Sequence, residues 1–275
     1  MERDVVFDIG AYKGEDTAYY LRRGFRVLAV EANPESAEFC RQRFHAEIRA
    51  GRLVLLNQGI AAEEGPVTFF LSEGNQGRWS SLYPALASRE NVAARPVTVQ
   101  ATSLRSLVRE YGVPFYLKVD IQGAEHLCLR DIDGVDAPRY VSFYANEGRL
   151  EDLFLVARAG YTRFKLIDQL TFRQAVPPPL HSVALAASVV TRAAKDRLRQ
   201  LPGLSETVRF MRRVSTTNGG NQERSIAPEF SISSSGPMAE ETDGPWRSVE
   251  EVAYAWLYYV RETTTSNWYD VHAAR

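Results

Sequence analysis

The sequence predicts an α/β protein with a mostly parallel, doubly wound β-sheet, and three observations support this prediction. Short apolar runs rich in β-branched and aromatic residues alternate along the chain with segments of helical periodicity. The first run ends in a glycine and leads directly into a helical segment. A second run follows that helix at once, as in a strand–helix–strand unit. Such alternation is typical of parallel sheets whose crossover helices cover both faces.

The individual elements follow from local patterns. A strand is predicted at 5–9, a helix at 15–23 and a second strand at 27–30. Asn33 and Pro34 predict the start of the next helix, because asparagine caps helix N-termini and proline suits the first helical position. Further strands are predicted at 53–56, 66–71, 96–101, 115–120, 139–144 and 161–167, and further helices at 123–130, 150–159 and 248–261.

The character of the sequence changes after residue 168. Three consecutive prolines at 177–179 precede an amphipathic stretch at 183–213 and a segment at 215–236 rich in serine, threonine, asparagine and glycine. We therefore predict a nucleoside-binding core at 1–168, which completes the sheet, and an extension at 169–246 that forms a lid or binds the second substrate. A C-terminal helix and tail at 247–275 are predicted to pack on the core.

Composition narrows the class of protein. With 45% hydrophobic and 24% charged residues the chain is predicted to be a soluble globular protein, and a net charge of −1 argues against a nucleic-acid partner. No run reaches the roughly 18 apolar residues that a membrane span requires. Two cysteines cannot build a disulfide framework or a cysteine metal site. The first strand begins at once, so we expect no signal peptide and a cytoplasmic location.

A wide glycine loop follows the first predicted strand. Gly10 and Gly14 are separated by three residues, and Tyr12 takes the place of the second glycine of a dinucleotide fingerprint. The loop therefore lacks the glycine spacing that binds a pyrophosphate. Glu31 ends the second strand at roughly the 20-residue distance at which an acidic side chain meets ribose hydroxyls. With the Asp8 carboxylate at the loop, this pattern favours S-adenosylmethionine, and a nicotinamide or flavin cofactor is the alternative.

Three motifs together resemble a known family. They are Asp8-Ile9-Gly10-Ala11-Tyr12-Lys13-Gly14, Val30-Glu31-Ala32-Asn33-Pro34 and Leu117-Lys118-Val119-Asp120-Ile121-Gln122-Gly123-Ala124-Glu125. In order and spacing the chain is similar to the FkbM-type S-adenosylmethionine-dependent methyltransferases. The resemblance covers most of the chain outside about 184–229. It implies a Rossmann-like methyltransferase fold, S-adenosylmethionine as methyl donor, and S-adenosylhomocysteine as its product.

The resemblance also implies O-methylation of a hydroxyl group, and two residues depart from the family pattern. Gln122 stands where glutamate is usual, and Tyr144 ends a strand where relatives tend to carry glutamate, with Glu147 as a stand-in. The first departure removes a second charge beside Asp120, and the second suggests a reshaped acceptor pocket. Aromatic side chains that could form its apolar walls, although core packing is their commoner role, are Trp79, Tyr144, Trp246 and Trp268.

The donor site follows from these motifs. Asp8 is expected to face the methionine end, the glycines to allow close backbone approach, and Glu31 to accept both ribose hydroxyls. The segment 57–60 is expected to line the adenine. The predicted donor-site residues are Asp8, Gly10, Ala11, Tyr12, Gly14, Thr17, Glu31, Ala32, Asn57, Gly59, Ile60 and Asp120.

Three residues are predicted to act in catalysis. Asp120 ends a strand beside the position of the leaving methyl group, where a carboxylate can orient an acceptor hydroxyl, although capping of the next helix stays open as an alternative. His272 is the first choice of general base and His181 the second, because a neutral imidazole accepts a proton near pH 7. A structural role stays open for either histidine. We expect no metal, since Asp120 has no second charged ligand beside it.

The predicted function is therefore transfer of a methyl group to a hydroxyl on a small natural product, a sugar or a glycan. Two rival functions remain at this level. One is a subunit that binds S-adenosylmethionine without turnover, because a fold does not determine a function. The other is a nicotinamide-dependent oxidoreductase. Neither a nucleic acid nor a membrane is an expected partner, and a homodimer is one of the assemblies that the sequence allows.

Overall fold

The structure is a computed structural model that describes residues 4–176, 230, 234–262 and 268–275. The strands are β1 (Val5–Ile9), β2 (Arg26–Val30), β3 (Leu53–Leu56), β4 (Gly59–Ile60), β5 (Gly65–Ser72), β6 (Ala94–Thr102), β7 (Tyr116–Val119), β8 (Tyr140–Tyr144), β9 (Arg163–Asp168) and β10 (Tyr269–Ala274). The helices are α1 (Glu15–Arg22), α2 (Pro34–Arg43), α3 (His45–Arg49), α4 (Pro84–Ala87), α5 (Leu104–Tyr111), α6 (Glu125–Leu129), α7 (Glu151–Arg158) and α8 (Val249–Trp256), and α8 continues into a π-helical turn at Leu257–Glu262.

The main sheet of the described residues has seven strands in the order β3-β2-β1-β7-β8-β10-β9. All neighbouring pairs are parallel except those made by β10, which runs antiparallel to both β8 and β9. The predicted α/β class, the mostly parallel sheet and the Rossmann-like methyltransferase fold are confirmed by this topology. The strand order reverses between β1 and β7, which is where open α/β sheets bind their ligands.

The prediction that the sheet is complete by residue 168 is wrong. Residues that the sequence suggested to be a tail form β10, which lies between β8 and β9 and is buried at every position. The tail does not pack on the core, because it is a strand inside it. Its sequence alternates apolar and polar residues, as a strand with one exposed face would, and so does not reveal that both faces of β10 are buried.

Local sequence signals set the helix boundaries. Asn33 caps α2 through its side-chain oxygen, which accepts from Glu35 N at 2.9 Å, and Pro34 occupies the first helical position as predicted. Ser248 and Glu251 form a reciprocal capping box at the start of α8. Among the helices of the described residues, none combines the length and apolar character that a membrane span requires.

β5 and β6 form a second, three-stranded sheet with β4, in which β5 and β6 are antiparallel. The β5–β6 connection, residues 73–93, extends over the carboxyl ends of the main strands and contains α4. Tyr12 Oη donates to Gln76 O at 2.9 Å, and Ser81 Oγ donates to Gln122 O at 2.8 Å. The connection is therefore attached both to the loop after β1 and to the loop after β7.

One row of buried polar side chains crosses the main sheet. Asp8, Lys118, Ser142, His272 and Lys165 are register neighbours on β1, β7, β8, β10 and β9, and each is at most 4% exposed. Because paired residues in a sheet point to the same face, these side chains share the face that α1 covers. This polar row begins beneath the glycine loop and ends at Lys165, whose Nζ donates to Thr242 O at 2.8 Å.

Candidate active site

A cleft opens at the carboxyl ends of the central strands, at the point where the strand order reverses. It holds about 1130 Å³ of empty space, counted to its open mouth. Its floor comes from the loops after β1, β2 and β7, and the β5–β6 connection forms its roof. Of the extension predicted to form a lid, Gln169 lines the cleft, whereas His181 and residues 177–229 lie outside the described residues.

Gly10 lets two loops of the cleft floor meet. Its φ of +85° is left-handed, and a Cβ at this position would lie 1.9 Å from Asp120 O. Gly10 N also donates to Val30 O at 2.8 Å, so the backbone of this loop is fixed against β2. Only glycine can satisfy both the torsion angle and the close approach. Gly14 has a different role, because its missing Cβ leaves room for the Phe44 ring rather than for a ligand.

Glu31 lies at the rim of the cleft with its carboxylate held in place. Oε2 accepts from Tyr12 N and Oε1 from Asn33 N, each at 2.7 Å. Asn57, predicted to line the adenine, instead donates to the carbonyls of Glu31 and Ala32 at 2.8 and 3.2 Å. Burial raises the pKa of Glu31 to about 7. Each carboxylate oxygen retains acceptor capacity, since it uses one backbone N–H.

Asp8 and Thr17 lie beneath the cleft rather than in its wall. Asp8 Oδ2 accepts from Thr17 Oγ1 at 2.6 Å, and Oδ1 lies 3.0 Å from Lys118 Nζ. The same Nζ donates to Gly10 O at 2.9 Å and lies 3.5 Å from Asp16 Oδ2. Asp8 thus places the lysine that supports the glycine loop, while Lys118 and Asp16 themselves line the cleft.

Asp16 is a cleft residue that sequence reasoning missed. It is buried in the first turn of α1, and burial raises its pKa to about 6. Its carboxylate accepts from Ser235 N at 3.0 Å and from Ser234 Oγ. The signal was present as an acidic first helical turn after the glycine loop, which is where side chains face a ligand at the strand ends.

Asp120 lies at the cleft floor after β7. Its Oδ1 accepts from Gln122 Nε2 at 3.0 Å, and its backbone N donates to Ile9 O at 2.9 Å. Glu125 braces the same loop by accepting from Ile121 N at 3.0 Å and Gly123 N at 2.9 Å. Burial and then the charge of Asp120 raise the pKa of Glu125 to about 8.

The far wall of the cleft comes from distant parts of the chain. Tyr144 ends β8, Gln169 follows β9, and Trp268 precedes β10. Gln169 Nε2 donates to Asp270 Oδ1 at 2.6 Å, and burial raises the pKa of Asp270 to about 7. Of the four aromatic residues considered from sequence, Trp79, Tyr144 and Trp268 line the cleft. Trp246 instead stacks on the Tyr140 ring at 6.4 Å between centroids.

His272 does not line the cleft. It is the fourth residue of β10 and belongs to the polar row, where it is 1% exposed and neither ring nitrogen has a hydrogen-bond partner among the described residues. Burial, followed by the charge of Lys165, lowers the pKa of His272 to about 3. Such an imidazole is too weak a base to take a proton from a hydroxyl near pH 7. The structure therefore gives no support to His272 as general base.

The predicted residues divide into two groups. The structure places Asp8, Gly14, Thr17 and Asn57 behind the cleft, where they support its loops. No group of three or more metal-binding side chains is arranged to hold a metal ion in the part of the chain that the structure describes. The predicted donor-site residues that line the cleft are Gly10, Ala11, Tyr12, Glu31, Ala32, Gly59, Ile60 and Asp120.

Comparison with known proteins gives one family match. Residues 8–162, more than half of the chain, match the family described as methyltransferase FkbM domain. This range begins at Asp8 in β1 and includes all three loops of the cleft floor. No protein of curated function shows significant sequence similarity to the chain.

Solved structures were also compared. Precorrin-6y C5,15-methyltransferase from Geobacter metallireducens has 12% identity and a TM-score of 0.35, covering 65% of this chain and 71% of its own. An O-methyltransferase from a Brevibacillus brevis trans-AT polyketide synthase multienzyme has 10% identity and a TM-score of 0.35, covering 78% and 61%. Haemonchus contortus phosphoethanolamine N-methyltransferase 2 has 9% identity and a TM-score of 0.35, covering 99% and 48%. Similarity at this level carries no functional argument.

Proposed function

Because the chain belongs to the FkbM methyltransferase family, we propose that its cleft catalyses methylation of a hydroxyl oxygen on a small natural product, a sugar or a glycan. Family membership makes the chain a methyltransferase that uses S-adenosylmethionine. The atom that is methylated and the class of acceptor are the proposal. The observation that carries it is the position of Asp120 at the cleft floor.

The residues at the glycine-loop side of the cleft fit S-adenosylmethionine. Glu31 offers two buried carboxylate oxygens at the rim, which suits the two ribose hydroxyls. Gly59 and Ile60 line the neighbouring wall and offer an apolar surface for the adenine. Asp16 lines the cleft beside the glycine loop, where its carboxylate suits the ammonium group of the methionine part. We call this side, formed by the loops after β1 and β2, the donor half.

Asp120 is suited to bind and orient an acceptor hydroxyl. Gln122 donates a hydrogen bond to Asp120 Oδ1, whereas no described residue donates one to Asp120 Oδ2. A carboxylate oxygen in this position can accept the hydroxyl hydrogen and take up the proton as the oxygen is methylated. The side of the cleft formed by Asp120, Gln122, Tyr144, Trp268 and the β5–β6 connection is called the acceptor half below.

Methyl transfer is an in-line displacement, so most of the enzyme's task is positioning. When bound, S-adenosylmethionine supplies a methyl group that is activated by the positively charged sulfur. The chain has to hold the acceptor oxygen near 3 Å from that methyl carbon and keep water out. The roof formed by the β5–β6 connection serves the second need, because it spans the loops after β1 and β7.

The test is turnover with acceptors that differ in the receiving atom. The protein is incubated with S-adenosylmethionine and matched hydroxyl and amine compounds, and S-adenosylhomocysteine and methylated products are followed by mass spectrometry. We expect S-adenosylhomocysteine to accumulate with hydroxyl acceptors and the product to carry an O-methyl group. N-methylated products would contradict the proposal. Binding of S-adenosylmethionine without turnover on any acceptor would favour the non-catalytic rival instead.

A further inference from the structure

One arginine in the acceptor half forms no ion pair with any residue that the structure describes. Arg89 begins a short 3-10 turn (Arg89–Asn91) of the β5–β6 connection, and it lines the cleft together with Asp120, Gln122 and Tyr144. Its side chain therefore faces the space in which the proposed acceptor would be methylated.

The guanidinium of Arg89 is held in place from two sides. Its carbon lies 4.8 Å from the centroid of the Trp79 ring, and Nη2 donates to Gln122 Oε1. Gln122 in turn donates to Asp120 Oδ1 at 3.0 Å. A stacked and hydrogen-bonded guanidinium is already restricted to one conformation. A ligand that binds to it therefore avoids most of the cost in side-chain conformational entropy.

The guanidinium forms no contact ion pair in the described part of the chain, and the charges of Asp120 and Glu90 act on it only at longer range. Within the described residues no carboxylate lies within 4.0 Å of Arg89, and its buried Nε has no hydrogen-bond partner. By contrast, exposed arginines such as Arg95 have ion pairs, in that case with Glu35 at 2.6 Å. Burying a cation without an anion is costly, so a partly buried guanidinium that is left unpaired is suited to an anion from outside the chain.

Gln122 keeps this charge uncompensated. A glutamate at position 122 would place a carboxylate where Oε1 now accepts from Arg89, and it would neutralise the guanidinium. The amide contacts both Arg89 and Asp120 without adding charge. Glu125, the next acidic side chain of this loop, is buried and engaged by backbone N–H groups of residues 121 and 123.

We propose that Arg89 binds an anionic group of the methyl acceptor, so that the substrate is a hydroxylated compound carrying a carboxylate or a phosphate. This inference rests on the proposed function, because it takes Asp120 as the residue that orients the hydroxyl. The anion and the hydroxyl of the acceptor then lie on the two sides of Gln122. Trp79 and Tyr144 provide the apolar surfaces for the carbon skeleton between them.

The proposal is tested first by equilibrium binding to protein saturated with S-adenosylhomocysteine. The probes are matched pairs: 4-hydroxybenzoate with its methyl ester, glucuronate with glucose, and glucose 6-phosphate with glucose. We expect at least one acid to bind about 10- to 100-fold more tightly than its neutral partner, as a charge-assisted pair provides. The carboxylate and phosphate arms show which anion is recognised. Equal binding within every pair, or no saturable binding of any acid, would overturn the proposal.

Variants then connect the preference to Arg89. Arg89→Gln and Gln122→Glu should each remove the preference for the acid, while Arg89→Lys should retain part of it. Arg95→Gln removes an exposed arginine outside the cleft and should bind like the wild type. Affinity for S-adenosylhomocysteine serves as the check on folding and should stay within about twofold. An acid preference that survives in Arg89→Gln would overturn the assignment.

The two proposals fail in different ways. If neutral hydroxyl compounds are methylated as well as acidic ones, O-methylation stands and the anion site falls. If acids bind through Arg89 but their hydroxyl groups are never methylated, the anion site stands and the proposed reaction falls.

Discussion

The two halves of the cleft are built from differently distributed parts of the chain. The donor half comes largely from one continuous stretch, with Gly10 after β1 and Glu31 after β2, and β4 adds the adenine wall. Backbone N–H groups hold the Glu31 carboxylate. The acceptor half combines residues that are far apart in sequence, from Trp79 through Tyr144 to Trp268. A binding surface for a fixed ligand needs only local geometry, whereas one for a variable ligand can draw on distant loops.

The halves also differ in charge. The donor half exposes acidic side chains, Asp16 and Glu31, to a ligand that is itself positively charged at sulfur and at its ammonium group. The acceptor half contains both a guanidinium, that of Arg89, and a carboxylate, that of Asp120, which do not touch and are connected through Gln122. If this division is correct, substitutions in one half should change donor binding, and substitutions in the other should change turnover.

The largest effect is expected at Asp120. Asp120→Asn should lower kcat about 100-fold or more, because the hydroxyl loses its proton acceptor, while the Kd for S-adenosylmethionine stays within about twofold. Calorimetry gives the Kd and S-adenosylhomocysteine formation gives kcat. Asp136→Asn, on an exposed loop, is the control. A parallel loss of binding and turnover would assign Asp120 to the donor half.

The next largest effect is expected from a Cβ at Gly10, where the loops of the two halves meet. Gly10 and Gly24 have nearly the same φ, +85° and +86°, but a Cβ at Gly24 meets nothing within 4 Å. Gly24→Ala should therefore cost only the left-handed strain of about 1–2 kcal/mol in unfolding free energy. Gly10→Ala should cost roughly 1–3 kcal/mol more, through overpacking against Asp120 O, and should weaken donor binding. Chemical denaturation measures both, and equal losses would refute the close approach.

A smaller effect is expected at Glu31, with a pH signature. Glu31→Gln should weaken S-adenosylmethionine binding by at least about tenfold, because two charge-assisted hydrogen bonds lose their charge. Since burial raises the Glu31 pKa to about 7, wild-type affinity should increase as the pH rises through that value and the carboxyl ionises. The variant should lack this rise, and Glu35→Gln, which is exposed, should keep it. Calorimetry between pH 6 and 8 decides the matter, and a rise that persists in Glu31→Gln would exclude Glu31 as its source.

The smallest effect concerns His272, outside both halves. Its pKa is lowered to about 3 in the folded state, so below the unfolded value near 6.5 only the unfolded chain takes up this proton. Stability is therefore lost as the pH falls. Between pH 7 and pH 5.5 the wild type should lose roughly 1 kcal/mol more than His272→Gln. The pH dependence of turnover should be the same in both, and loss of its acid limb in the variant would restore His272 as the base.

The donor half of the cleft could be predicted from the sequence more completely than the acceptor half. Sequence patterns predicted the alternating elements, the switch-point loop and Glu31, because strand ends, caps and glycine spacing are local properties. They did not place Arg89 or Gln169 in the cleft, because these residues depend on loops that return from elsewhere in the chain. Asp8 and Thr17 were predicted to line the donor site but lie beneath it. Sequence spacing does not show which side of a strand faces a ligand and which faces a helix.

β10 shows the same limit most clearly. β10 alternates apolar and polar residues like a strand with one exposed face although both of its faces are buried, and its partners β8 and β9 lie more than a hundred residues upstream. His272 belongs to the polar row, and only the strand register reveals this position. No spacing rule could have separated a buried histidine in this row from a catalytic base.

The position of β10 has a consequence for how the protein is made. During synthesis, the edges of β8 and β9 that pair with β10 stay unpaired until residues 269–274 have left the ribosome. Two open strands of this kind are templates for wrong pairing between neighbouring nascent chains. A stop codon or frameshift just before residue 269 would leave the motifs of the cleft floor intact and still yield a protein prone to aggregate. Such a truncation would first lower the yield of soluble protein rather than the rate of catalysis.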